Sequence, residues 1–240
     1  GKKEKDKKVT REKMYDEVMR KNGLTKTSPE EEQTKCILDN MIDIRLFGSA
    51  MAVGKITKTF TGPIQLSWGY SLNPVDIIKS NSIVTIMNED NSTFGKMYKA
   101  HYAMVAHIGS IIKLPAKSTA VTGCDGEIFL KALVQSMMNN LTHSKQGQQP
   151  LLYLEITYQE DFDGYLGDLR RFIKVKLNKE SAIRNINEIE IDFSDLTEIV
   201  ADLTKQGYIK EIKLWQSPLL KQIHNLPSCQ KVDLLSPISK

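Results

Sequence analysis

The run Gly54 to Leu72, GKITKTFTGPIQLSWGYSL, restricts the fold of this chain more than any other stretch. Ile56, Thr57, Thr59, Phe60, Ile64, Trp68 and Tyr70 are β-branched or aromatic residues, types that pack well on a pleated surface and are stiff in a helix. The pattern predicts a strand from about Ala50 to Val53 and a turn at Gly54. A second extended run follows and is interrupted at Thr61-Gly62-Pro63, where proline supplies no amide hydrogen to a ladder. Alternation puts Lys55, Thr57, Thr59 and Thr61 on one side and Ile56, Lys58 and Phe60 on the other. Two readings of that polar side stay open. It is a solvated edge with a threonine ladder, or it lines a phosphodiester backbone, with hydroxyls, lysines and amides near Gly62 as donors.

The flanks supply the other elements. Lysine-rich residues lead into a helix carrying Val9, Met14, Tyr15, Val18 and Met19 at helical spacing and stopping at Gly23. In SPEEEQTKCILDNMI, Ser28 is the expected N-cap, Pro29 the first helical residue, and Glu30 to Glu32 complement the helix dipole. DIRLFGSAMAV reads as a strand through Ile44, Leu46 and Phe47, with a close backbone approach at Gly48. Farther on, CDGEIFLKALVQSMMNN is a helix capped by Asp125. QPLLYLEITYQ is a strand with Leu152, Leu154 and Ile156 on one face, and RRFIKVKL and YIKEIKLW are further strands. Arg170, Arg171, Lys174 and Lys176 form a basic run, read either as a solvated strand edge or as a contact surface. The three prolines after Ser217 predict a tail wrapped over the surface.

Composition narrows the chemistry. With 240 residues, 40% of them hydrophobic, the chain has enough apolar material for a real core. A net charge of +4 permits a polyanionic partner without requiring one. Cys36, Cys124 and Cys229 are far apart and odd in number, which argues against a disulfide framework or a zinc ribbon. No apolar run is long enough to span a bilayer, so a cytoplasmic location is expected. His101, His107, His143 and His224 have no adjacent nucleophile, and the Asp161 and Asp163 spacing matches no EF-hand. The reading is therefore no catalytic residue, no cofactor and no metal.

Three blocks in order carry a resemblance: DIRLFGSAMAV, then FTGPIQLSWGYSLNPV, then FGKMYKAHYAMVAHIG. Together they resemble the repeat-forming backbone subunit of type I CRISPR interference complexes (Cascade), nearest the type I-B branch, within the repeat-associated protein superfamily. The resemblance is good from Cys36 to Gly109 and survives mainly as element order from Lys117 to Trp215. It implies an α/β (α+β) fold of modified ferredoxin-like, RNA-recognition-motif type with insertions. Relatives begin with a core strand and an Asn-Pro-Asn-Gly-Asp-like segment, so the N-terminal part of that domain is expected to be missing before Gly1. The expected organisation is a lead and helix over 1–27, an RRM-like core over 28–216 with an inserted thumb-like hairpin near 79–102, and a tail over 217–240.

The same resemblance implies a non-catalytic protein that binds CRISPR RNA, polymerises along it with copies of itself and other Cascade subunits, and meets target DNA through the guide. The implied RNA-binding residues are Arg45, Phe47, Gly48, Ser49, Lys55, Thr57, Thr59, Thr61, Gly62, Gln65, Lys96, Tyr98 and Lys99. In the thumb, Phe94 and Met97 join Tyr98 as base contacts and Lys79 joins the phosphate contacts, with Asn88 to Ser92 as a polar turn. Packing of the apolar trio in a core is the open alternative. A transcript-processing endoribonuclease of the same superfamily and a phosphate-ligand-binding enzyme are the alternative functions.

Overall fold

The computed structural model describes residues 10–53, 56–79, 83–86, 92–95, 98–142, 144–178 and 183–238. The chain divides into two units: one formed up to Ser67 together with Gly109–Ala132, the other by Trp68–Ile108 and the residues from Leu133 onward.

The first unit is built on a helical hairpin. Helix α1 (Arg11–Lys21) begins at Thr10, whose hydroxyl accepts from the Lys13 amide, and helix α2 spans Glu30–Asn40. Tyr15 and Met19, one turn apart, are buried with Cys36, Ile37, Leu38 and Ile44. Gln33 ties the connection between the helices. Its buried amide accepts from the Tyr15 hydroxyl and donates to the Ser28 carbonyl at 2.6 Å. Ser28 does not cap α2. Its hydroxyl accepts from the Thr25 amide at 3.1 Å, closing the turn before the helix.

The expected strand through Ile44 is instead helix α3 (Ile42–Phe47). Tertiary demands override the local β pattern here. The helical turn puts Ile44 into the core and lets Arg45 donate to the carbonyls of Leu38 and Asp39 at the end of α2, groups that a helix leaves without intrahelical partners. Strands β1 (Gly48–Val53) and β2 (Ile56–Thr61) follow as the antiparallel pair anticipated from alternation. The expected turn residues Gly54 and Lys55 lie outside the described residues. Ile64–Leu66 pairs with Gly109–Ile111, leading to α4 (Lys113–Thr119) and α5 (Gly123–Asn139). The α5 cap is Thr122, not Asp125. The Thr122 hydroxyl accepts from the Asp125 amide while the Asp125 carboxylate accepts from the Thr122 amide, a reciprocal capping box.

The second unit carries an antiparallel ribbon and two small sheets. The ribbon pairs Tyr70–Ser71 with Val105–Ala106, Ile77–Lys79 with Tyr98–Ala100, and Ile83–Ile86 with Ser92–Gly95. Of the expected Asn88 to Ser92 turn, Ser92 instead pairs with Ile86 in the ribbon and residues 88–91 lie outside the described residues. Buried Asn73 anchors the ribbon: its side-chain oxygen accepts from the Met104 amide at 2.8 Å, and its nitrogen donates to the Pro74 carbonyl.

One sheet pairs Leu152–Tyr158 with Ile209–Gln216. The other pairs Lys174–Leu177 with Ile189–Asp192. Leu152, Leu154 and Ile156 pack against the core, as their alternation predicts. That core includes Ile189, Ile191, Phe193 and Leu196 and Val200 of helix α6 (Ser194–Lys205). Arg170 and Arg171 are not in a strand, because Asp168 caps a 3-10 turn over Leu169–Phe172. The chain after Ser217 is more than a surface wrap. Ile223–His224 and Gln230–Lys231 add in parallel to the two sheets, and Leu220 and Leu234 are buried. The architecture is mixed α+β, as expected. Among the described residues no helix is long and apolar enough to cross a membrane.

Candidate functional site

The site begins with two glycines. Gly48, at the end of α3, has φ +76°, and a Cβ there would overlap the Phe60 carbonyl. A Cβ on Gly62 would run into the backbone of Leu46, Phe47 and Gly48. Main chain therefore crosses main chain at contact distance, which only residues without Cβ permit. This is the close approach expected at Gly48, and it sets the end of β2 directly against the exit of α3.

From that crossing, β2 presents its polar side. Thr59 and Thr61 are exposed and lie opposite Ala50 and Gly48 in the register, so their hydroxyls stand beside small residues. Thr57 lies opposite Ala52 along the same strand. Ser49, on the alternate position, is half-buried opposite Phe60. Beyond the strand, Gln65 donates to the Gly62 carbonyl at 2.9 Å. Beside β2 is a shallow groove of about 570 Å³, lined by Thr34, Thr59, Phe60, Thr61, Leu114, Pro115 and Ser118. The exposed hydroxyls of Thr59, Thr61 and Ser118, with three apolar groups, suit sugar and backbone edges better than a compact multivalent ion, which calls for cations. Sequence reading missed Thr34, Leu114 and Ser118 because they come from α2 and α4, far along the chain.

Arg45 faces inward. Its Nε and Nη2 donate to Asp125 at 3.1 and 2.6 Å, and its Nη1 reaches the two carbonyls at the end of α2. The Arg45 guanidinium holds the Asp125 carboxyl below the usual carboxylate range, with further hydrogen bonds from Thr122. Phe47 is 48% exposed and meets Phe129 edge to face at 5.8 Å, so half its ring stays open to solvent.

Tyr98 and Lys99 belong to the second unit, on the ribbon, where both are exposed. Exposure of Tyr98, at 65%, rules out core packing for this member of the apolar trio. Lys79 pairs with Tyr98 in register and is exposed as well. Lys55, Lys96 and Met97 lie outside the described residues, and of Phe94 only the strand position is described. Arg170 is engaged internally, by Asp168 through two nitrogens at 2.8 and 2.7 Å and by the Trp68 and Ala106 carbonyls. Among the described residues no group of three or more His, Cys, Asp or Glu side chains is placed to hold a metal ion.

With these elements placed, comparison with known proteins decides the family. The family model described as CRISPR-associated protein Cas7 matches residues 2–194. The chain belongs to the Cas7 family. A curated relative, the CRISPR-associated protein Cas7 of Haloferax volcanii, is 22% identical over 187 residues, covering 68% of this chain. The chain spans about half of that relative's length, 55%. The Cas7 match takes in the glycine crossing, the threonine strand, the ribbon and the Arg170 turn.

Proposed function

We propose that this chain is a non-catalytic, guide-holding portion of a Cas7 backbone subunit in a type I interference complex, of the type I-B kind, built on an RNA-recognition-type core. Copies line up along one CRISPR RNA in the cytoplasm, beside other Cascade subunits, and target DNA is met through pairing with the guide. The observation that carries this reading is the exposed Thr59 and Thr61 row. It is set against Gly48 and Ala50 at a main-chain crossing, in a chain of the Cas7 family.

Hydroxyls and main-chain amides beside small residues can approach a sugar-phosphate backbone closely and hold it without reading its sequence. Phe47, Ser49, Gln65 and the backbone of Gly48 and Gly62 complete that surface, with Thr57 and Lys55 continuing it. Lys96, Tyr98 and Lys99 act from the ribbon, the proposed thumb. Arg45 is reassigned: with its nitrogens engaged by Asp125 and the α2 carbonyls, it positions α3 and leaves RNA contact to its neighbours. The processing-endoribonuclease alternative is not favoured by the family match.

The test is to co-express the protein with a CRISPR array, purify it at moderate salt and sequence the retained RNA. Enrichment of spacer-containing RNA is expected. Binding should weaken with salt at a log–log slope near ~−4 if about six phosphates are neutralised per subunit. Retention of no RNA by the full-length protein would refute the reading.

A further inference from the structure

The ribbon of the second unit changes character at Asn73-Pro74. On one side of that turn Leu72 and Tyr102 pack against the core and Met104 is buried in it. On the other side every residue of the Ile77–Lys79 and Tyr98–Ala100 strands is exposed. A two-stranded ribbon with both faces in water gains no packing that fixes its direction. The direction must be set where the ribbon leaves the core.

Main-chain pairing is interrupted at that place, between the Ser71–Val105 and Ile77–Ala100 pairs. Pro74 has no amide hydrogen to give. The main chain of Asn73 is taken by its own neighbour: the Ser71 hydroxyl donates to the Asn73 carbonyl at 2.7 Å and accepts from the Asn73 amide at 3.3 Å. The Asn73 side chain, 4% exposed, pairs across the ribbon instead. In a regular antiparallel ladder a hydrogen-bonded pair exchanges both bonds between the same two residues. Here the Leu72 amide donates to the Met104 carbonyl at 2.7 Å, while Asn73 Oδ1 accepts from the Met104 amide at 2.8 Å. Asn73 Nδ2 donates to the Pro74 carbonyl at 2.8 Å and to the Tyr102 carbonyl at 3.5 Å. One side-chain amide thus ties the turn to its own strand and to two positions of the other. An aspartate could accept from Met104 but could not donate to Pro74 or Tyr102.

From this arrangement we infer that Asn73 is a positioning residue for RNA binding, setting the direction in which the exposed part of the ribbon leaves the core. Pro74, with its fixed φ, is the stiff half of the same turn. The inference rests on the RNA-holding reading, because the groups it aims are Lys79, Tyr98 and Lys99. Asn73 is too buried to touch RNA, so its effect reaches the guide through the ribbon.

Equilibrium binding of a labelled single-stranded RNA of mixed sequence to the full-length protein supplies the test. Asn73→Ala should weaken binding about tenfold, as when the contact-making direction is held about a tenth of the time. The loss should vanish once Lys79, Tyr98 and Lys99 are replaced by alanine, and it should add to the loss from Thr59→Val, which acts in the other unit. The emission of buried Trp215 reports that the second unit is folded. Pro74→Gly, at an exposed position, frees the turn and leaves the Asn73 bonds their partners, so it carries the test if Asn73→Ala does not fold. A few-fold weakening with the same dependence on the three ribbon residues is expected.

A loss that persists in the triple-alanine background would overturn the inference, since it would not run through the ribbon. Binding that ignores both turn variants, or ignores the three ribbon residues themselves, would overturn it and leave the threonine row as the RNA-holding surface. Failure of the wild-type protein to bind RNA would overturn both readings together.

Discussion

Each of the two units is fastened by an arginine that gives two nitrogens to one aspartate and a third to two backbone carbonyls, but the two clamps hold different things. Arg45 and Asp125 are 80 residues apart, with side chains 16% and 6% exposed, so their pair closes the first unit across its sequence. Arg170 and Asp168 are two residues apart, and Asp168 is 37% exposed. The long reach there is made by the carbonyl bonds to Trp68 and Ala106. A charge pair buried across the chain couples folding to both partners. A local pair that presents a pre-oriented guanidinium to neutral carbonyls pins a ribbon without being needed for the core. The contrast fits their settings: one supports the crossing beneath the threonine row, the other an exposed tryptophan.

The largest effect should come from the crossing that the first clamp supports. Gly62→Ala puts a methyl into the main chain of Leu46, Phe47 and Gly48, which cannot rotate away. The first unit is expected to lose its cooperative urea transition while the second retains one. An unchanged two-unit melt would show that the crossing is not tight.

Arg45→Ala comes next. It leaves the buried Asp125 carboxylate without its partner, and such losses cost about 3–5 kcal/mol. Arg45→Lys should recover little, because an ammonium lacks the paired fork geometry. Denaturant midpoints read both.

Acid sharpens the same comparison. Folding lowers the Asp125 pKa through the Arg45 hydrogen bond, so its stabilisation is fully present above the ordinary carboxylate pKa near ~3.9. It is lost as pH falls through the depressed folded value. Asp125→Asn should flatten the acid limb of the stability curve below about pH 4, whereas Asp168→Asn, at an exposed site, should alter it far less. Equal flattening by both variants would erase the distinction between the clamps.

Arg170→Ala should leave the global transition nearly in place and speed hydrogen exchange at the Tyr70–Ser71 and Val105–Ala106 pairing, with a shift in Trp68 emission. The smallest effect is expected for Thr59→Val. It should leave stability within experimental error and weaken RNA binding a few-fold, the scale of one hydrogen bond of about 1 kcal/mol.

Much of this could be read from residue order. The strand alternation around Thr59, the i,i+4 burial of Tyr15 and Met19, the one-sided strand at Leu152–Ile156 and the closing helix and strand all appear where local pattern places them. Each is a short-range property, because side-chain direction follows from φ and ψ within a few residues. Where a local pattern failed, a competing contact had prevailed, close in sequence at Ser28 and more distant elsewhere. Ile44 and Leu46 read as strand until α2 and the core took them as helix. Ser28 was drawn into the Thr25 turn, and the stretch after Ser217 gained sheet neighbours. Trp68 looked like strand packing because its alternation is regular, and alternation cannot tell which face of a ribbon meets water.

Sequence by itself determined the short-range helix and strand patterns that survived, the family blocks and the close backbone approach at Gly48, since side-chain direction and steric bulk are properties of the residues themselves. Only the tertiary structure decided which charges are available. Arg45 and Arg170 carry the same group as any phosphate-binding arginine. It is the arrival of Asp125 from 80 residues away, and of the Trp68 and Ala106 carbonyls beside Arg170, that turns both inward. A guanidinium has a fixed number of donors, and whether they face a ligand or the protein depends on what the fold brings within hydrogen-bonding distance.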